Sequence, residues 1–451
     1  MTRAAEPARV EWRVLGAYAA PTLGLASPLF FVQFFFLKYA TDVLLMAPAA
    51  VALIFGLSRL WDAVTDPVVG VWSDATRSRL GRRRPWMLAG TPVVLVGFVM
   101  IWVAPRGLGE VGLGLWVGAA LVAFFTGFTA WIVPHMSLGA ELSDGHHDRS
   151  RIFGTRQVFF MLGMFVAFGL IGYVTNSADQ RVAAARAAII VAVVCAGVLL
   201  VPPLVLRERP EYQGRGAERP FRAIADVFRN PHARIVLFVQ FIDSLAAGIL
   251  GVIAPYFAEY VLKRPDLIAL LPACFVVSSV ASVPVWVMIS HRLGKKNTWL
   301  LSMVMTGLAF GSQIFVGEND VLLASLILVA AGVSFGAGGV LGPSILADVI
   351  DWDELQTGER KEGAYSAGWG FSFKAGAAAI VVFAGAVLQA TGFEPNVDQA
   401  PPAHMAIRLL NSALPFGVFL LGALVFTRFR FDSAEHARVR AALAERREDR
   451  P

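Results

Sequence analysis

SRLWDAVTDPVVGVWSDATRSRLGRRRPW, residues 58–86, is the stretch whose reading decides the fold. Its first half continues an apolar segment yet carries Asp62 and Asp66, spaced i and i+4, so both carboxylates lie on one face of a helix, one turn apart. A carboxylate at membrane depth is costly and persists where a cavity, a cation or a counter-charge receives it. The arginines of the second half pin that end of the segment to the cytoplasmic side. The stretch therefore predicts a cation site inside a membrane rather than a soluble active site.

Composition carries the same message outward. Of 451 residues, 56% are hydrophobic and 16% charged, against about 25% charged in a soluble domain. A mean hydropathy of +0.62 over this length predicts an all-α polytopic membrane protein. The net charge of +6 does not imply nucleic acid as a partner, because the arginines sit in the short connections between apolar segments, as the positive-inside rule requires. Cys195 and Cys274 fall within apolar segments and form no disulfide or metal pattern. The polar, basic start (MTRAAEPARVEWR) precedes an apolar segment too long for a cleaved signal peptide. An uncleaved first helix with a cytoplasmic N-terminus is expected.

Twelve candidate spans follow, each near or above the ~20 residues that cross a bilayer. They run 15–41, 47–74, 86–105, 111–142, 151–176, 184–206, 233–262, 266–290, 297–316, 320–348, 363–391 and 405–428. Lys and Arg concentrate in alternate connections, which predicts both termini in the cytoplasm and a multi-pass protein of the plasma (bacterial inner) membrane. The polar stretch 207–232 divides the spans six and six. The expected organisation is thus an N-terminal half (1–206), a cytoplasmic linker (207–232), a C-terminal half (233–428) and a cytoplasmic tail (429–451). The halves echo each other: Arg79-Leu80-Gly81-Arg82-Arg83 precedes Trp86, and Arg292-Leu293-Gly294-Lys295-Lys296 precedes Trp299 at the same offset. A weaker echo joins Leu138-Gly139-Ala140-Glu141 to Leu346-Ala347-Asp348. Two six-helix pseudo-repeats suit a rocking transporter with its substrate near the midplane.

These features resemble the major facilitator superfamily, and specific stretches resemble its glycoside–pentoside–hexuronide:cation symporter family, typified by the melibiose permease. The residues that carry the likeness are Arg59-Leu60-Trp61-Asp62-Ala63 with Asp66-Pro67, then Thr76 to Arg79, Gly81 and Pro85-Trp86. Further along they are Pro134, Ser137-Leu138, Asp148-Arg149, Arg156, Ala347-Asp348, Asp351, Ala364-Tyr365-Ser366 and Lys374. The resemblance implies that Asp62 and Asp66 bind a coupling cation, joined by Thr129, and that Lys374 links cation occupancy to conformation, with Arg59 as a second charge partner. Two carboxylates side by side need a cation or a shared proton, and sodium would take oxygen ligands. Both H+ and Na+ remain open as the coupling ion.

The family's sugar-holding acids on the first and fourth spans fall at Ala26 and Ile132 here. Its stacking aromatic falls at Met136, and an eleventh-span threonine at Trp369. Together with His135, Asp243 and Tyr365 these residues make up the expected substrate cavity. The coupling machinery matches the family while the galactoside pocket does not, so the solute is expected to be sugar- or glycoside-like without being melibiose. A lysolipid or another amphipathic solute on the same chassis is the alternative, and a non-transporting receptor is a third class. Asp74, Arg82, Arg83, Glu141, Arg149, Arg156 and Asp348 are expected at a cytoplasmic gate, though the basic residues also serve as topology anchors. His135 reads as a pore-lining or packed histidine rather than a proton carrier, and Lys38 as a lysine snorkelling to the outer interface. No Gly-rich phosphate loop and no Cys/His ligand spacing occurs. The expectation is therefore a non-enzyme without cofactor beyond its coupling cation, a monomer in membrane lipid, whose partners are the solute and the ion.

Overall fold

The computed structural model describes residues 10–143, 146–206, 208, 227–358, 361–431 and 433–448. The chain forms two compact units, Met1–Ala217 and Glu218–Pro451. The first contains α1 (Trp12–Asp42), α2 (Pro48–Ala75), α3 (Arg84–Trp102), α4 (Glu110–Glu141), α5 (His146–Thr175) and α6 (Gln180–Val205). The second contains α7 (Pro231–Val261), α8 (Pro265–Leu293), α9 (Lys295–Phe315), α10 (Val321–Thr357), α11 (Glu362–Ala390), α12 (Pro401–Thr427) and a charged tail helix, α13 (Ser433–Glu448). The first twelve are long and apolar enough to cross a membrane. Among the described residues there is no strand. In lipid each backbone N–H and C=O must be satisfied within its own segment, which the helix does.

Each unit repeats one packing plan. In the first, α1 lies against α5 and α6, α2 against α4, and α3 against α4 and α6; in the second, α7 against α11 and α12, α8 against α10, and α9 against α10 and α12. Small residues make these approaches close, as they do between helices in lipid. A Cβ on Gly127 of α4 would stand 2.2 Å from the Val94 nitrogen of α3, and one on Gly97 would stand 2.4 Å from the Phe124 nitrogen. In the second unit, Gly332 and Gly336 of α10 would meet the Phe275 and Ser279 carbonyls of α8 at 2.2 and 2.3 Å.

The structure departs from the sequence reading at several places. Lys38 does not snorkel: it is 5% exposed and pairs with Asp42 at 2.5 Å, one turn on. Burying a lysine beside an acid one turn away satisfies its charge within α1 itself. Helix α10 runs nine residues past the hydropathy boundary at 348, to Thr357, and stops at Gly358 in the left-handed region (φ 74°). Hydropathy marks where lipid ends, whereas the helix ends only where a glycine allows it. The tail, for which the sequence reading gave no packing, forms a helix on α10 with Val439 and Leu443 buried against the protein. Most of the 207–232 linker lies outside the described residues.

Candidate cation site

Helix α2 is continuous across Asp62 and Asp66 although Pro67 follows directly. A proline nitrogen has no hydrogen to donate, so the Ala63 carbonyl loses its partner one turn back, beside both acids. Asp62 is fully buried and Asp66 half-buried, so the pair has a sealed member and a reachable one. From α4, the buried Thr129 places its Oγ1 2.9 Å from Asp62 Oδ1 and 2.9 Å from Asp66 Oδ1. A hydroxyl has one proton, so it donates to one carboxylate at a time. Its approach to the other is favourable when that carboxyl is protonated or when a cation lies among the oxygens. Arg59, one turn before Asp62, donates to Asp62 Oδ2 at 3.2 Å, and its guanidinium lies 5.0 Å above the Phe125 ring of α4. The structure thus brings Arg59, Asp62, Asp66 and Thr129 together. Hard oxygen ligands of this kind fit sodium, and the paired carboxylates fit a proton. Lys374 stands half-buried on α11, in the second unit.

At the arginine-rich end of the first unit, Arg82 and Arg83 converge on Glu141 at 2.5 and 2.9 Å, and Arg83 also reaches Asp74 at 3.2 Å. The sequence reading missed the residue that organises this cluster. Glu208 accepts the backbone N–H groups of Arg82, Arg83 and Arg84 at 2.9, 2.9 and 3.0 Å. A carboxylate so placed satisfies orphan donors at the start of α3 and complements its dipole. Its only sequence signal is an acid just beyond the sixth span. The corresponding place in the second unit carries one pair, Lys295 to Asp348, at 2.8 and 2.6 Å. His436 of α13 joins it, 3.1 Å from Asp351 and 3.6 Å from Asp348. Arg156 forms no ion pair among the described residues; its guanidinium lies 5.6 Å over the Phe160 ring. The side chain of Arg149 lies outside the described residues.

The residues expected around the solute are scattered through both units. His135 is fully buried, stacked between Tyr18 at 4.3 Å and Trp131 at 4.5 Å. Its Nε2 stands 2.9 Å from the Tyr18 carbonyl, which makes Nε2 the protonated nitrogen. This is the packed histidine of the sequence alternatives. Ala26 is buried where α1 meets α5, with Gly163 opposite. Ile132 is half-buried and Met136 is 37% exposed, both on α4. Tyr365 is buried and accepts from Asn230 Nδ2 at 2.8 Å, while Asn230 Oδ1 caps the start of α7. Trp369 of α11 packs on Gly342 of α10, and Asp243 of α7 is 7% exposed.

With this geometry in place, comparison with known proteins decides the family. Residues 17–433 match the MFS/sugar transport protein family. The chain belongs to that family. A Gallus gallus protein named sodium-dependent lysophosphatidylcholine symporter 1 is 26% identical, over 92% of this chain and 86% of its own length. The uncharacterized symporter YnaJ of Bacillus subtilis is also 26% identical, over 90% and 89%. The crystal structure of the nucleoside transporter NupG superposes with a TM-score of 0.69 at 11% identity, covering 93% of this chain and 100% of that one. At that identity the likeness shows the fold alone. This member of the family is accordingly an all-α, multi-pass membrane protein of the major facilitator fold, and its relatives are named as symporters.

Proposed function

We propose that this family member is a cation-coupled symporter that works by alternating access. The cation, H+ or Na+, binds at Asp62, Asp66 and Thr129. The carrying observation is the single Thr129 hydroxyl 2.9 Å from both carboxylates, which draws three hard oxygens of the kind that take a cation or a shared proton to one place. Arg59 neutralises the sealed acid, and Lys374 couples occupancy to conformation. The salt bridges of Arg82, Arg83, Glu141 and Asp74, with Lys295–Asp348, form the cytoplasmic gate, and both termini are cytoplasmic. The solute is sugar- or glycoside-like, in keeping with the family's description. A second reading, an amphipathic lysolipid, is supported by the name of the Gallus gallus relative and by the exposed Met136 thioether on α4.

The test needs no solute. The thermal midpoint of the purified protein is followed as sodium, lithium or potassium replaces choline at fixed ionic strength, across a pH series, beside Asp62→Asn. A ligand at a hundredfold excess over its Kd stabilises the folded form by about 2.7 kcal/mol. A sodium-specific rise absent from Asp62→Asn establishes sodium; a pH dependence abolished by the same change, without an ion response, establishes the proton. The absence of both responses would remove the site.

A further inference from the structure

The cation site leaves a second buried carboxylate unused. Asp243 lies within α7, 7% exposed, and among the described residues no hydrogen bond or ion pair reaches it. Its neighbours along the helix satisfy each other: Gln240 Nε2 donates to Ser244 Oγ at 2.9 Å, and Ser244 Oγ donates to the Gln240 carbonyl at 2.7 Å. On α9, Trp299 is fully buried and its Nε1–H has no acceptor among the described residues. The two orphans meet at one point. A Cβ on Gly338 of α10 would stand 3.1 Å from Trp299 Nε1 and 3.4 Å from Asp243 Oδ2, so an unmet donor and an unmet acceptor border the same glycine, where a methyl would crowd them. One turn further along α10, a Cβ on Gly342 would stand 2.5 Å from the Trp369 ring and 3.3 Å from the Trp299 ring, so two indoles wall the same face.

We propose that Asp243, Trp299 and Gly338 form a subsite for a solute hydroxyl. The hydroxyl accepts from Trp299 Nε1–H and donates to the Asp243 carboxylate. The pairing of donor and acceptor selects this chemistry. An ammonium has donors only and would leave the indole N–H unmet. A phosphate or carboxylate would face Asp243 as a like charge. A neutral polyol with an aromatic-facing ring surface meets every group on the page, so the subsite deepens the glycoside reading and rests on it.

The probes are methyl glycosides of common hexoses and pentoses, their monodeoxy forms, choline, and lysophosphatidylcholine. Binding is measured on the full chain in lipid nanodiscs, with the cation-dependent thermal shift as the control for folding. Expected is a glycoside whose affinity falls at least tenfold in Trp299→Phe, which keeps the ring and loses the N–H. Similar losses are expected in Asp243→Asn and in Gly338→Ala, which crowds both groups. Removing one particular hydroxyl from the probe should cost as much in the wild type and nothing further in Trp299→Phe, the sign that the two groups touch. Glycoside binding unchanged in Trp299→Phe and Asp243→Asn overturns the subsite while leaving the symporter reading intact. Binding of choline or lysophosphatidylcholine in place of every glycoside overturns the subsite and the sugar reading together.

Discussion

At Thr129 one hydroxyl proton is shared between two carboxylates at equal distance, and the residue's smallest change is informative. Thr129→Val keeps the shape and removes the hydroxyl, leaving two acids side by side with no group between them. The expected result is a lower thermal midpoint, by the equivalent of about 1–3 kcal/mol for a lost hydrogen bond to a charged group, and a weakened ion response. An unchanged ion response would mean that Thr129 packs rather than ligates. The two acids should also differ. Asp62 is sealed and holds Arg59, whereas Asp66 is half-buried. Asp62→Asn should therefore destabilise the protein without ligand more than Asp66→Asn does, since it weakens the partner of a buried arginine. Equal midpoints for the two variants would count against that asymmetry.

Among the elements, the repeated turn Arg-Leu-Gly-basic-basic shows how local chemistry is reused. Gly81 and Gly294 occupy the same place in each half and both have positive φ, 102° and 77°. A side chain at either is strained by about 1–3 kcal/mol. The surroundings differ: a Cβ on Gly81 would stand 2.5 Å from Glu208 Oε1, whereas nothing lies within 4 Å of one on Gly294. Gly81→Ala should thus lower the thermal midpoint further than Gly294→Ala, and Glu208→Ala should abolish the excess. Persistence of the excess in Gly81→Ala/Glu208→Ala would show that Glu208 does not hold the start of α3. A similar contrast separates close packing from helix propensity. Gly127→Ala drives a methyl into the α3 backbone and should prevent folding or lower the midpoint sharply. Gly169→Ala on α5, with open space around it, should be neutral or stabilising by up to about 1 kcal/mol. Comparable losses for both would mean that α3 and α4 do not need their close approach.

For the molecule as a whole, the testable quantity is orientation. In a cysteine-less background (Cys195→Ala, Cys274→Ala), single cysteines at Arg106 and Glu318 should react with a membrane-impermeant thiol reagent on intact cells. A cysteine at Arg77, beside the arginine run, should react only after permeabilisation, as the positive-inside rule requires. The reverse pattern would invert the topology and the proposed direction of the gate. The tail enters at this scale too. Removing residues 433–448 uncovers the C-terminal end of α10 and takes His436 from Asp348 and Asp351. The thermal midpoint should fall, and a truncated protein as stable as the full chain would show that α13 contributes nothing to the second unit.

Spans, the repeat and the pair of acids were legible in the residues alone, because each rests on a local pattern. Lipid demands about twenty apolar residues per helix, an i, i+4 spacing puts Asp62 and Asp66 on one face, and arginines mark one side of the membrane. What joins distant segments was not legible from local pattern. Thr129 was placed beside the acids only by likeness to a family, and its contact with both depends on α2 meeting α4. Glu208 reaches the turn before α3 from more than 120 residues away, and no spacing rule foretells a partner at that separation. Lys38 misled for a different reason: its partner Asp42 lies one turn on in the same helix, but a lysine near a span end reads as exposed until the fold shows both buried. Periodicity and composition act along the chain, so they determined the helices and the orientation to be tested. Hydrogen bonds, ion pairs and van der Waals contacts act across it, so only the tertiary structure decided which side chains share a site.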